Sequence, residues 1–253
     1  MGFWVSFDRI QLSQEILVAA IGEDWPQEQV DAAVELLANS DGKFPAGVRK
    51  LPSELVKAVQ RERLVVAMLM AAAELGYRET NVQDVIDRAG VSRPTFYEHF
   101  ANKEDCFLAA FDTSAARLRN KVDAAAERGG DSWRDRLRYS LEALIQFAVA
   151  EPQTARTLIV EARAASSDAV MRRVQLLEYF AECLDEDARQ RLPEGEYSSV
   201  TAAGVIGGVE ALLYSRLCKE DVDNLEELLP SLMYFAVLPY EGHEVASEEL
   251  ALD

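Results

Sequence analysis

Apolar residues recur three and four positions apart along most of the chain, and polar residues fill the positions between them. This spacing places the apolar side chains on one stripe of an α-helix. Alternating runs of β-branched residues, which would indicate strands, are absent. The pattern therefore predicts an all-α fold, in which helices joined by short loops bury their stripes against one another in a bundle. The C-terminal segments with this pattern are 132–150, 153–165, 167–184, 198–218 and 222–238.

Capping residues and helix breakers predict where the helices of the N-terminal half begin and end. Ser53 is a good N-cap for a long helix that runs through Leu75. Asn81 and Ser92 are expected to cap two short helices, 82–89 and 93–100. A further long helix is predicted from about 102 to 128. Near the C-terminus, a proline at position 230 is expected to kink or split the helix predicted there.

Residues 81–100 carry the most specific pattern, a short helix, a tight turn and a second short helix. Gly90 occupies the turn, where a Cβ atom would be costly. This arrangement is typical of a helix-turn-helix. The apolar residues expected to pack on the preceding long helix are Val85, Ala89, Val91, Phe96 and Phe100. The polar residues expected on the exposed face of the second helix, where they suit base edges and phosphates, are Arg93, Thr95, Tyr97 and His99.

These residues resemble the N-terminal DNA-binding domain of the TetR family of bacterial transcriptional regulators. The resemblance covers about residues 53–111, and it depends most on Ala89-Gly90-Val91-Ser92, Thr95-Phe96-Tyr97, His99-Phe100 and Lys103-Glu104. It implies that Tyr97, His99 and Lys103 contact phosphates, and that Arg93 and Thr95 read bases or phosphates. The departures from the family's usual pattern are Met68, Ala72, Ile86 and Glu98; the carboxylate of Glu98 would repel a nearby phosphate.

Charge is distributed unevenly along the chain, whose formal net charge is −18. Residues 1–42 carry −7 and residues 106–253 carry −12, whereas residues 43–105 carry +1. We therefore expect three parts: an acidic helical N-terminal extension and linker (1–52), the DNA-binding domain (53–102), and a helical ligand-binding and dimerisation domain (103–253). Arg49 and Lys50 are candidates for a basic arm in the minor groove, although a linker with solvated charges explains them equally well.

A helix predicted over 198–218 contains Gly204 and Gly208 four residues apart, with Ala211 about one turn later. Glycine destabilises a helix by roughly 0.5–1 kcal/mol, and close approach of another helix would offset that cost. The TetR resemblance places this helix and residues 222–238 at a two-fold interface between subunits. Packing within one subunit is the alternative.

Apolar residues on the central helices are candidates for lining a ligand pocket, although each could equally belong to the plain core. Two charged residues on the same helices are candidate polar anchors. The candidates are Arg138, Leu144, Phe147, Leu158, Glu161, Met171, Leu177, Phe180 and Tyr214.

Composition narrows the remaining possibilities. Three widely spaced cysteines and two histidines argue against a disulfide framework or a metal site and are typical of a cytoplasmic protein. No apolar run is long enough to span a membrane. We expect a homodimeric repressor, without a cofactor, that a small apolar effector releases from a palindromic operator in double-stranded DNA. The alternatives are an effector-independent architectural DNA-binding protein with the same head, and an enzyme, for which the sequence contains no catalytic motif.

Overall fold

The computed structural model describes residues 52–192, 198, 200–219 and 224–251, together with Pro26 and Gln29. In this part of the chain every regular element is helical. The α-helices are α1 (Ser53–Leu75), α2 (Val82–Ala89), α3 (Arg93–His99), α4 (Lys103–Glu127), α5 (Trp133–Ala150), α6 (Pro152–Arg156), α7 (Ala162–Ala165), α8 (Ser167–Arg191), α9 (Thr201–Cys218) and α10 (Leu229–Glu249). A π-helical segment, Thr157–Glu161, joins α6 to α7, and a 3₁₀ turn, Glu226–Leu228, precedes α10.

The chain divides into two compact units after Thr113, within helix α4. The sequence suggested a boundary at residue 102, where α4 begins, so the observed division lies later. The first turns of α4 belong to the N-terminal unit because they pack into its core. The Cys106 thiol donates to the Leu64 carbonyl at 3.7 Å, and the Phe107 ring lies 4.7 Å from that of Tyr77.

The N-terminal unit contains the predicted helix-turn-helix. The Asn81 side chain accepts bonds from the first-turn amides of α2, and Asp84 bonds back to Asn81, which completes a capping box. Gly90 has φ 63° and ψ 38°, the left-handed conformation that its position in the turn requires. The predicted cap at Ser53 is wrong: Pro52 occupies the cap position of α1, and no side chain bonds there.

In the C-terminal unit, the helices bury one large apolar cluster. Trp133 of α5 packs on Tyr240 of α10 with ring centroids 5.1 Å apart. The predicted kink at Pro230 is wrong, because this proline lies in the first turn of α10, where it costs no hydrogen bond. The interruption lies instead at Gly242, whose φ of 82° and ψ of 177° are not helical. None of the described helices combines the length and apolar character needed to cross a membrane.

Candidate nucleic-acid interface and ligand cavity

Helix α3 is fixed in position by a capping residue at its N-terminus and by two buried aromatic rings. The Ser92 hydroxyl accepts from the Thr95 amide at 3.2 Å, and Pro94 lies in the first turn of the helix. Phe96 is fully buried and Phe100 nearly so. These contacts fix the inner side of a helix of only seven residues and leave its other side to solvent.

The outer side of α3 carries the predicted contact residues at its first two turns. Arg93 is exposed, and its guanidinium donates to the Gln83 side chain of α2 at 2.9 Å. Thr95 is half-buried, with its hydroxyl 2.8 Å from that of Ser92. Tyr97 is 51% exposed and rests edge-on against Phe96. Arg93 and Tyr97 are thus available to a partner. The side-chain amide of Gln83 lies beside Arg93 and was not among the predicted contact residues.

His99 lies at the end of α3 next to α1. It is half-buried, and its Nε2 lies 3.5 Å from the Gln60 amide oxygen. Burial lowers the pKa of His99; the carboxylate of Glu98 opposes this shift, while the positive charges of Arg61 and Lys57 add to it. The neutral form of the imidazole is therefore favoured in the free protein. In a phosphate contact the ring would donate a hydrogen bond to a phosphate oxygen, whose negative charge would oppose this shift.

Lys103, the predicted phosphate contact at the start of α4, is half-buried and bonded to the backbone. Its Nζ donates to the carbonyls of Tyr77 at 3.0 Å, Arg78 at 3.4 Å and Thr80 at 2.8 Å. It also lies 4.2 Å from the centroid of the Tyr77 ring. Burial lowers the pKa of Lys103, with Glu79 opposing the shift. Because an ammonium has three donors, these carbonyls engage all of them, and the side chain holds the loop after α1.

The predicted basic arm, Arg49 and Lys50, lies outside the described residues. In the described part of the chain, no group of three or more His, Cys, Asp or Glu side chains lies close enough to hold a metal ion.

The C-terminal unit contains a cavity of about 350 Å³. Helices α4, α5, α8 and α9 and the π-helical segment supply its walls, which are mainly apolar. Helix α8 lines it from Arg173 to Asp187, a distance of about 21 Å at 1.5 Å per residue. The cavity is therefore elongated along α8. Binding cavities typically measure about 300–1,000 Å³.

Four of the nine predicted pocket residues line this cavity: Leu144, Leu158, Leu177 and Phe180. The other five do not line this cavity. Met171 is 54% exposed, and Phe147 is buried elsewhere. The three polar side chains among them have other partners: Arg138 binds Glu249, Glu161 pairs with Arg156 at 3.3 Å, and Tyr214 stacks against the guanidinium of Arg163 at 4.1 Å.

Charged side chains lie at both ends of the cavity, and none of them was among the predicted pocket residues. At one end Glu210, on the otherwise apolar helix α9, receives bonds from Arg163 and Arg173. At the other end Arg136 donates through Nε to both oxygens of Asp187 at 2.9 Å. The available signal was Glu210 itself, because a carboxylate in an apolar helix is expected to be buried with a partner.

The glycines of α9 have different environments. A Cβ atom on Gly208 would lie 2.5 Å from the ring of Phe235 on α10, so this glycine allows close packing within the subunit. A Cβ atom on Gly204 would meet nothing within 4 Å. Gly204 and Ala211 are both exposed. The intramolecular alternative therefore explains Gly208, whereas Gly204 and Ala211 remain open to a partner.

Comparison with known proteins identifies the N-terminal unit. Residues 64–110 match the sequence model of the bacterial regulatory proteins of the tetR family. The chain carries a TetR-family DNA-binding domain. The transcriptional activator FasR of Mycolicibacterium smegmatis, described as HTH-type, is 32% identical over 116 residues, which are 46% of this chain and 52% of FasR. The chain thus spans about half the length of this curated relative.

Solved structures match a larger part of the chain. The fatty acid degradation regulator FadR of Bacillus halodurans aligns with a TM-score of 0.63 and 19% identity, over 72% of this chain and 95% of FadR. The transcriptional regulator FadR of Bacillus subtilis, in complex with stearoyl-CoA, aligns with a TM-score of 0.62 and 16% identity, over 71% and 97%. At these identities the likeness establishes the all-α fold. The relatives are regulators, in agreement with the expectation that the chain is not an enzyme.

Proposed function

We propose that this protein is a dimeric, ligand-controlled transcriptional regulator that reads DNA with helix α3. The observation that carries this proposal is the exposed outer side of α3, held by a left-handed turn at Gly90 within a TetR-family domain. In a two-fold dimer, two such helices would enter successive major grooves about 34 Å apart, which calls for a palindromic operator. Selection of bound fragments from genomic DNA tests this, and recovery of no common palindrome would contradict it.

Arg93 is the residue through which we expect sequence to be read, because its guanidinium can bind guanine with two hydrogen bonds. Arg93→Ala should weaken specific binding by about 1–3 kcal/mol. Arg189→Ala, which removes the same charge from the C-terminal unit, is the matched control. Titration of a labelled operator at fixed salt measures both. Equal affinities for Arg93→Ala and the wild type would remove Arg93 from the interface.

The dimer interface is proposed on the exposed side of α9 and α10. Gly204, Gly207 and Ala211 follow one another on one face of α9 and are all exposed. Leu212 of α9 and Phe235 of α10, which are 43% and 38% exposed, add apolar surface. Glycines on such a face would let a partner helix approach closely. Two helices from each subunit would then pack about a two-fold axis.

Gly204 gives the sharpest test of this interface, because a side chain there meets nothing within its own subunit. Gly204→Glu should yield a folded monomer in sedimentation experiments. Val149→Glu introduces the same carboxylate at an exposed apolar position of α5 and should remain dimeric. A dimeric Gly204→Glu protein would place the interface elsewhere. Gly208→Leu is less informative, because it would collide with Phe235 of its own chain.

The effector is proposed to be a molecule with a long apolar chain that binds in this elongated cavity. The shape and apolar walls of the cavity support this, and the related fold of Bacillus subtilis FadR is described in complex with stearoyl-CoA. A ligand alters DNA binding only if it prefers one of two dimer geometries. Release of a labelled operator by acyl compounds would support this proposal. The cavity also weighs against the effector-independent alternative.

The direction of regulation has two candidates. Repression needs only occupancy of an operator that overlaps a promoter, and we propose it as the first. Activation is the second, because the Mycolicibacterium smegmatis relative is named an activator. Transcription in vitro from a promoter that contains the selected operator separates the two. A repressor lowers the yield of transcript in the absence of ligand, whereas an activator raises it.

A further inference from the structure

The two ends of the cavity differ in charge. At the α9 end, two guanidinium groups share one carboxylate. The Nη2 atom of Arg163 lies 2.7 Å and 2.5 Å from the two oxygens of Glu210. Arg173 approaches the same carboxylate at 2.6 Å through Nη2 and 3.1 Å through Nε. This cluster of three side chains carries an excess of one positive charge, and we call it the arginine cluster.

The opposite end carries more negative than positive charge among the residues that line the cavity. Arg136 and Arg191 both bind Asp187 there, and Asp123 and Glu127 of helix α4 add two further carboxylates to the cavity lining. Asp123 accepts a hydrogen bond from Tyr179 at 2.5 Å, and Asp187 binds Arg191 as well as Arg136. Three carboxylates and two guanidinium groups give this end an excess of one negative charge, so an anion would bind there less favourably than at the arginine cluster.

Two members of the arginine cluster are also less exposed to solvent than an ordinary surface ion pair. The side chains of Glu210 and Arg173 are only 9% and 16% exposed, and both line the cavity. Charge–charge attraction is stronger at such a site than in water, because less solvent screens it. The positive charge in excess of the Arg173–Glu210 pair comes from Arg163, whose side chain is 37% exposed, and it favours an anionic partner over a neutral one. Arginine also offers a planar set of donors that matches carboxylate and phosphate.

We propose that the cavity binds an anionic amphiphile lengthwise, with its anionic group at the arginine cluster and its apolar chain directed along α8 towards Asp187. This inference rests on the proposed effector and adds the polarity and charge of the ligand. The anion could be the carboxylate of a free long-chain acid or a phosphate of a nucleotide thioester. Both are the oxyanions that paired guanidinium groups recognise.

Three ligands of equal chain length test the proposal by calorimetry with the full-length protein: stearate, stearoyl-CoA and the uncharged stearyl alcohol. We expect at least one of the two anions to bind about tenfold or more tightly than the alcohol. If only stearoyl-CoA does so, the anion is a phosphate, whereas stearate would identify a carboxylate. Equal affinity for anions and alcohol overturns the proposed polarity but leaves the proposed effector intact. Binding of none of the three overturns both.

Substitutions at the two ends locate the anion. Arg173→Gln should abolish the preference for anions and leave the affinity for stearyl alcohol unchanged. Arg136→Gln, which removes a cavity-lining arginine from the opposite end, is the matched control and should keep the preference. The reverse outcome, a preference lost in Arg136→Gln and kept in Arg173→Gln, would place the anion at the wrong end for this proposal.

Glu210→Gln separates recognition of the anion from support of the fold. This substitution removes the carboxylate that competes for the two guanidinium groups, so anions should bind more tightly, by several-fold, while the alcohol binds as before. A purely structural ion pair predicts the opposite, because its loss would weaken the binding of every ligand. Weaker anion binding by Glu210→Gln would therefore overturn the proposal.

Discussion

At the scale of single residues, two basic side chains of the N-terminal unit differ in what they bind. Arg93 is exposed and donates to the amide side chain of Gln83, whereas Lys103 donates to three backbone carbonyls. The sequence pattern predicts both as DNA contacts because it records residue type and spacing. It does not record whether a lysine's donors are already engaged by the backbone.

Lys103 should therefore act on stability more than on DNA. Lys103→Ala leaves carbonyls of the 77–80 loop without their donor and should lower the free energy of unfolding by about 1–3 kcal/mol. Chemical denaturation measures this loss. The salt dependence of DNA binding should stay close to that of the wild type, whereas loss of a phosphate contact would lower its slope by about one. A changed slope with unchanged stability would restore the phosphate assignment.

Glu62 predicts a pH dependence of stability. This side chain of α1 is nearly fully buried, and its Oε2 atom has no hydrogen-bond partner. Burial raises its pKa from 4.5 to about 7, opposed by Arg61. The folded protein thus holds a proton that the unfolded chain releases. The free energy of unfolding should fall by about 3 kcal/mol from this residue as the pH rises from about 4.5 to 7.

Glu62→Gln tests this dependence, because it keeps the shape and removes the ionisation. It should raise the free energy of unfolding at pH 8 and flatten the pH profile between 5 and 7. Glu54→Gln, at an exposed position in the first turn of the same helix, is the control and should change neither. An unchanged profile in Glu62→Gln would show that the carboxyl group ionises normally.

His99 predicts a pH dependence of DNA binding. Burial keeps its pKa below the usual 6.5 in the free protein. A phosphate close to the ring would favour the protonated form, so the complex would take up a proton. Affinity should therefore rise as the pH falls from 8 to 6, by at most about tenfold per unit from this residue. His99→Gln should lose that increment, and equal slopes for variant and wild type would place the ring away from phosphate.

At the scale of elements, what the sequence predicts well is local. The residues of the helix-turn-helix determine its caps and its left-handed turn within a few positions, so α2 and α3 match their predicted ranges closely. The cavity was predicted less well because its walls come from five segments far apart in sequence. Helical periodicity identifies which side of α8 is apolar, but it does not distinguish Leu177, which lines the cavity, from exposed Met171.

The turn between α2 and α3 depends on the left-handed conformation of Gly90. A left-handed backbone costs a residue with a Cβ atom about 1–2 kcal/mol. Gly90→Ala should therefore lower the melting temperature and weaken operator binding, because the turn sets the angle of α3. Gly90→Asn is the matched control, since asparagine adopts this conformation more readily. If both variants lose equal stability, the loss arises from steric clash of the added side chain and not from strain in the left-handed backbone.

At the scale of the whole molecule, the open question is how residues 1–42 contribute. They carry −7, so direct contact with DNA would be repelled, yet they contain enough apolar residues to form a face. The described part of the chain adds one observation: all residues from Glu62 to Leu69 are buried, so no side of α1 is open to solvent there. We predict that residues 1–42 form two helices that dock on α1 or on the partner subunit and brace the linker to α1.

Deletion of residues 1–42 tests this bracing. Loss of docked apolar surface should lower the melting temperature, by about 2–4 °C for each kcal/mol of stability. The truncated protein should still select the same operator sequence, because α2 and α3 are unchanged. A chain that starts at residue 1 but carries charged substitutions at Leu17 and Val34 should show the same loss of stability, since it removes the apolar face and keeps the length. If the deletion leaves the melting temperature unchanged, and proteases cut residues 1–42 readily in the intact protein, the segment is a loose tail and does not brace the DNA-binding domain.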